Sequence, residues 1–275
     1  MKQLRLILPF LEGMALFAGT ITLAFWGSEQ LIRIMVPVAP EPAVGFWYFF
    51  FLLLFLTAVL LIFLRFTGGR FLFLFFFTVA MFTGVWFFAD VFFSDGPALT
   101  IAAVLIGLRF LVPRVATQNL LVVTGVAGVG VSIGSGLAWQ TVLWLAAALA
   151  FYDLIAVYGT KHMVVLMRGL LARGVIFAAV IPEKLHGWGE RLDRVHPGEG
   201  FLLVGTGDLA VPALFAASLA SHGWGAGVAA VLGATAGFLT TMLLFLGPGK
   251  RRPFPALPPI VVGMSLGWFL FFVLS

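Results

Sequence analysis

Apolar residues in this chain come in long unbroken blocks, with neither the alternation of a half-buried strand nor the narrow stripe of a surface helix. The breaks between blocks carry the charges and the turn residues. A bilayer core is crossed by roughly 20 apolar helical residues, with about 17 to 25 tolerated. That length predicts nine spans, at about residues 6–27, 44–64, 71–93, 97–112, 119–138, 140–160, 200–220, 225–246 and 255–274. The expected fold is an all-α membrane protein with one membrane domain. Residues 1–160 hold spans 1 to 6, 161–199 a cytoplasmic loop with an interfacial segment, and 200–275 spans 7 to 9. No fixed-period repeat and no pair of matching interrupted halves, as in inverted-repeat transporters, is visible.

Composition agrees. Of 275 residues, 62% are hydrophobic and only 10% charged, and the mean hydropathy is +1.13, which together indicate an integral membrane protein; a multi-pass protein of the cell membrane is expected. The first block, from Leu6 to Trp26, exceeds the length of a signal-peptide core and reads as a span. With no cysteine there is no disulfide, thiolate metal site or thiol nucleophile to propose. The net charge of +5 does not indicate a nucleic-acid partner, because basic residues of membrane proteins mark cytoplasmic loops. On the nine-span reading, every one of the 16 Lys and Arg residues except Arg33 falls on one side. That bias places the N-terminus in the cytoplasm and the C-terminus outside.

The long connection 161–199 opens with an apolar stretch, 163–180. Reading it as a tenth span would bury Arg168 and Arg173 and invert the charge bias downstream, so an interfacial segment is expected. Within it, residues 175–181 are rich in β-formers and end at Pro182, which predicts a short strand. The stretch 186–200 is expected to be a polar loop.

Three carboxylates fall inside spans away from the outer face, Glu12, Asp153 and Asp208, while Asp90 at the end of span 3 falls on the outside. Hydrocarbon offers nothing to hydrate those three, so each is a candidate for function. For Glu12, in span 1, an interior hydrogen bond is the expectation. Asp153 lies seven residues, about 10 Å, above the cytoplasmic end of span 6, and Asp208 eight residues, about 12 Å, above that of span 7. The two therefore share a level on consecutive spans. About 4 Å apart at an effective dielectric near 20, two carboxylates repel by about 4 kcal/mol, so that one is ionised while the other keeps its proton. The ionised member can deprotonate a water attacking a carbonyl while the protonated one stabilises the oxyanion.

Other hydrolytic sets fail. The four histidines lie in loops or at span ends, and there is no H-E-x-x-H to hold zinc. The "SIGSG" stretch lacks an intramembrane histidine to activate a serine. Gly130 and Gly134, like Gly233 and Gly237, have the spacing of close helix packing. No metal and no cofactor is expected.

Three short motifs carry a resemblance. "YD" (Tyr152, Asp153), "GTGD" (Gly205, Thr206, Gly207, Asp208) and "PAL" (Pro255, Ala256, Leu257) occur in this order on spans 6, 7 and 9. The set is similar to the signatures of the presenilin and signal peptide peptidase family of intramembrane aspartyl proteases, and it covers essentially the whole chain. The resemblance implies that Asp153 and Asp208 are the catalytic pair, that the PAL segment packs beside them, and that the substrates are themselves membrane helices. The inferred topology and "YDLIAV" are presenilin-like, whereas "GDLAVPALFAAS" is similar to signal peptide peptidase. With the small size, this mixture suggests a microbial, archaeal homologue.

Physics supplies roles for the flanking residues. Gly205 and Gly207 would allow a substrate backbone or a helix near Asp208. Tyr152 either hydrogen-bonds in the site or fills the bundle. Pro253, Pro255, Pro258 and Pro259 make the start of span 9 irregular, which membrane depth tolerates where protein or a water-filled cavity satisfies the backbone. A substrate helix must unwind to be cut, and is expected to add as a strand to 175–181 or to the PAL region. The expected partners are transmembrane-helix substrates and the lipid bilayer, with self-association compatible. The alternative is a proton- or cation-coupled transporter using the same carboxylates. A prepilin-type peptidase, which also carries GxGD, fits neither the PAL segment nor the nine spans.

Overall fold

A computed structural model describes residues 4–34, 70–159, 176–196, 200–246 and 254–274, with positions 47, 51, 52, 55 and 198. The expected second span, 44–64, and most of the interfacial stretch 163–180 lie outside the described residues. Eight helices occupy the other expected spans. They are α1 (Leu4–Ile34), α2 (Arg70–Asp90), α3 (Asp95–Leu111), α4 (Val115–Val129), α5 (Trp139–Leu154), α6 (Thr206–Ser218), α7 (Trp224–Leu246) and α8 (Leu257–Leu274). Among the described residues, six helical stretches are long and apolar enough to cross a membrane: Leu8–Ile34, Phe71–Asp90, Val115–Gly134, Trp139–Gly159, Trp224–Phe245 and Leu257–Leu274. The third and fourth of these include π-helical turns that extend α4 over Gly130–Gly134 and α5 over Ile155–Gly159.

α1 runs through the middle of the bundle. Phe17, Ile21, Ala24 and Phe25 are fully buried on it, and Phe17 stacks on Phe238 of α7 with centroids 4.2 Å apart. The expected hydrogen bond of Glu12 is not found: both carboxylate oxygens are buried without a partner among the described residues.

Glycines set the closest helix contacts, as their spacing predicts. Gly130 and Gly134 lie against Ala213 and Leu214 of α6, and Gly233 and Gly237 against Gly263 and Pro259 of α8. A Cβ on Gly237 would stand 2.3 Å from the Pro259 carbonyl oxygen, so α8 is seated backbone to backbone just after the PAL segment. The seam between α2 and α4 is tighter, since a Cβ on Gly128 would meet the Gly84 carbonyl oxygen at 1.7 Å. Gly128→Leu should therefore overpack the seam, at about 1–3 kcal/mol or more. A melt in detergent should show the midpoint falling by roughly 2–4 °C per kcal/mol.

One expected span is corrected. Residues 200–220 are not helical throughout: Phe201–Gly205 is a strand, β2, and α6 begins only at Thr206. β2 pairs antiparallel with β1 (Ala178–Pro182), the strand expected over 175–181, in the register Ala178↔Gly205 to Pro182↔Phe201. Thr206 N–H to Phe177 C=O at 3.2 Å and Glu183 N–H to Gly200 C=O at 2.8 Å close the ladder at its two ends. Gly198 and Gly200 take positive φ, 84° and 90°, where the chain turns into β2.

The hairpin is buried on both faces. Ala179, Ile181, Leu202 and Val204 join the bundle core. Ala178, Val180, Phe201 and Leu203 join a second cluster with Val115, Ile176, Trp188, Leu192 and Val195. The stretch between the strands, expected to be a plain polar loop, contains 3-10 turns at Leu185–Gly189 and Leu192–Arg194. It is tied to the start of α4 by Val115 N–H to Glu190 C=O at 3.0 Å and Leu192 N–H to Pro113 C=O at 2.9 Å.

Candidate active site

Asp153 lies in the last turn of α5, immediately before the π-helical turn. π-turns widen the helix and recur at functional sites. Its Oδ2 accepts the Leu257 N–H at 3.3 Å, and the Ala256 N–H lies beside the same carboxylate. Leu257 opens α8, whose first N–H groups have no helical acceptor. Pro258 and Pro259 carry no N–H, so Leu257 and Ile260 supply the first donors of that helix. A carboxylate at a helix N-terminus also meets the positive end of the helix dipole. Thr241 of α7 donates to the Ala256 carbonyl at 3.4 Å and to its own helix at Gly237 at 3.1 Å, which ties the PAL backbone to the glycine seam.

Asp208 lies in the first turn of α6, and Gly205 is the N-cap of that helix. The GTGD spacing thus places the aspartate at the third helical position, from which a carboxylate reaches back to the N-cap N–H as in a capping box. The Asp208 carboxylate is turned back in this way onto the Gly205 backbone N–H. A Cβ on Gly205 would stand 3.1 Å from Asp208 Oδ2. Gly205 therefore makes room for the carboxylate of its own motif. Gly207 is exposed with open space around it. Thr206 contributes its N–H to the ladder. Pro212, inside α6, cannot donate to the carbonyl four residues earlier, so the Asp208 C=O lacks its helical partner.

The two carboxylates, from α5 and α6, lie within electrostatic reach of each other. Both are half-buried, and none of the salt bridges found among the described residues involves either. Pro255 is buried and Ala256 and Leu257 are half-buried beside Asp153. Tyr152 is 52% exposed, so it does not fill the interior. The tripeptide Pro-Ala-Leu also occurs at 97–99 and 212–214. It is the copy before the last helix that meets Asp153.

Two buried residues were invisible to the motif reading. Gln118 and Asn119, in the first turns of α4, are 0% and 1% exposed and bond the backbone of β1. Their signal in the sequence is a pair of carboxamides at the mouth of an apolar helix, which reads as the edge of a span.

Comparison with known proteins identifies relatives of this chain. The profile of the family "Signal-peptide peptidase, presenilin aspartyl protease" matches residues 14–275. The chain is similar to a presenilin family intramembrane aspartate protease solved in space group C222, at 25% identity over 98% of this chain and 100% of the other, with a TM-score of 0.69. A structure of a presenilin family intramembrane aspartate protease in space group P2 is 26% identical over 96% and 97% of the two chains, with a TM-score of 0.66. No curated protein matches at a significant level. The chain belongs to the signal-peptide peptidase and presenilin family of aspartyl proteases, and by that membership it is an intramembrane aspartic endopeptidase.

Proposed function

We propose that the protein hydrolyses peptide bonds within the transmembrane segments of other membrane proteins, with Asp153 and Asp208 as a dyad that shares one proton and activates a water. The observation that carries this is the convergence of all three motifs: the PAL backbone donates to Asp153, and the GTGD turn holds Asp208 within reach of it. In the reaction the ionised carboxylate takes a proton from water, and the oxygen attacks the scissile carbonyl carbon. The protonated partner donates to the carbonyl oxygen, and the C–N bond breaks as the amine nitrogen gains a proton. The pair titrates as a unit. The N-terminus is cytoplasmic, and nine spans place the site toward the cytoplasmic side.

The substrate must present an extended backbone, and the hairpin narrows where it can pair. In β1, Val180 N–H and C=O are taken by Asn119, so the Val180↔Leu203 rung is a non-hydrogen-bonded pair. Leu203 then points its N–H and C=O away from β1, toward an edge with no backbone partner among the described residues. That edge ends at Gly205, beside Asp208. Of the two places expected from sequence, 175–181 and the PAL region, the first is occupied at Val180 on its outer edge, and the free groups of Leu203 support strand addition at β2.

The test is incubation of the purified protein with single-span peptides of both orientations, the products being read by mass spectrometry. New termini inside the apolar segment, still formed in the presence of a metal chelator, are expected. No cleavage across the panel, or cleavage abolished by the chelator, would overturn the reading.

A further inference from the structure

Gln118 and Asn119 belong to none of the three motifs, yet their side chains are occupied by the backbone of one strand. Asn119 Nδ2 donates to the Val180 carbonyl at 2.6 Å, and its Oδ1 accepts the Val180 N–H at 2.7 Å. That two-way exchange is what a residue of a neighbouring antiparallel strand would make. Gln118 Nε2 donates to the carbonyls of Ile176 and Ala178 at 3.0 and 3.2 Å. Its Oε1 accepts from Arg109 Nε, which fixes the end of the amide that faces the strand. Arg109 is itself buried, at the end of α3.

The outward edge of β1 is thus taken up from Ile176 to Val180 by two side chains of α4. β1 behaves as a central strand, with β2 on one edge and a pair of carboxamides on the other. Satisfying buried backbone groups is one consequence. The other is positional, because β1 aligns β2 and β2 ends at the N-cap of the helix that carries Asp208. Hydrogen bonds therefore run from α4 through two strands to the turn that holds the carboxylate. An open strand edge also invites pairing with another chain, and here that edge is closed on the side away from Asp208.

We propose that Gln118 and Asn119 are positioning residues for the peptidase reaction: a carboxamide clamp that sets the hairpin against α4, fixes the register in which an extended substrate passes Asp208, and denies substrate the outer edge of β1. The clamp acts through the hairpin and touches no reacting atom. It rests on the reading of Asp208 as catalytic and of the Leu203 edge as the substrate edge.

Two variants test it. Asn119→Leu keeps the approximate volume and removes both bonds to Val180. Gln118→Glu keeps an acceptor for Arg109 and removes both donors to β1. Each is compared with the unmodified protein by amide hydrogen exchange along the hairpin and by the distribution of cleaved bonds in a single-span peptide.

In Asn119→Leu the Val180 amide should exchange at least about 100-fold faster, because the opening it reports becomes local. A displaced dyad turn should cost about 10- to 100-fold in kcat, with KM changed by less than about threefold. Cleavage should spread to neighbouring bonds. Gln118→Glu should show the same redistribution if Asn119→Leu fails to fold. An unaltered cleavage pattern, with rates falling only in proportion to the folded fraction, would reduce the clamp to structural support and overturn the proposal. So would unchanged exchange at Val180 in Asn119→Leu. Absence of cleavage by the unmodified protein would sink the peptidase reading instead, and the exchange comparison would then decide on the clamp alone.

Discussion

Asp153→Ala and Asp208→Ala are each expected to abolish cleavage of a single-span peptide, with residual rates at least about 1,000-fold below the unmodified protein. General acid–base catalysis by one positioned group contributes about 10²–10⁴-fold. Here a single proton is shared between two carboxylates, so losing either removes both functions at once. The double variant should consequently be no slower than the singles, as for other catalytic groups that act as a unit. Asp153→Asn is the stricter probe, because an amide oxygen can still accept the Leu257 N–H and leave the PAL segment in place. Its thermal midpoint should match or exceed that of the unmodified protein, since a carboxylate in a poorly hydrated site is a liability to folding. Rates are read by product quantification at matched folded concentration. More than about a tenth of the activity remaining in either alanine variant would exclude the dyad, given the size expected of each group.

The part of this site that was legible in the sequence lay in short motifs with a mechanism attached. Asp153 and Asp208 stood out because carboxylates are rare in apolar blocks, and the PAL segment stood out through the prolines around it. The match of depth, by contrast, depends on a helix running from Gly200, and that stretch is extended as far as Gly205. "FLLVG" is a five-residue apolar run, too short for periodicity to separate strand from buried helix. What decides it is tertiary: the "AAVIP" segment, some 20 residues earlier, supplies the ladder, and Gly198 and Gly200 supply the turn.

The meaning of the GTGD spacing was hidden for the same reason. Only when Gly205 becomes an N-cap does a carboxylate three residues later have a backbone N–H to reach. Gln118 and Asn119 were missed because a polar pair at the mouth of a span reads as a boundary. Its partners, Ile176, Ala178 and Val180, lie about 60 residues away in sequence and no local pattern announces them.

Leu203→Pro should separate the two edges of β2, because a proline removes one N–H and leaves the carbonyls alone. At Leu203 that N–H points away from β1, so the ladder between the strands keeps its bonds. Proline is accepted on a strand in this orientation, with the missing donor on the free side. The residue before it, Leu202, is already in the extended conformation that a following proline requires. The variant should therefore fold, while an extended substrate loses a main-chain hydrogen bond beside Asp208. Such a bond contributes about 0.5–1.5 kcal/mol net, and leaving the substrate carbonyl buried without a donor adds about 1–3 kcal/mol. The combined loss predicts roughly a 10- to 1,000-fold fall in kcat/KM at about 1.4 kcal/mol per factor of ten. Leu202→Pro is the control, since the Leu202 N–H faces Ile181 across the ladder, and its loss should lower the thermal midpoint as well as the activity. Full activity in a folded Leu203→Pro protein would show that substrate does not pair along this edge. A fall in activity with the melting curve unchanged would place the scissile segment against β2, with the clamp of Gln118 and Asn119 on the far side of the same hairpin.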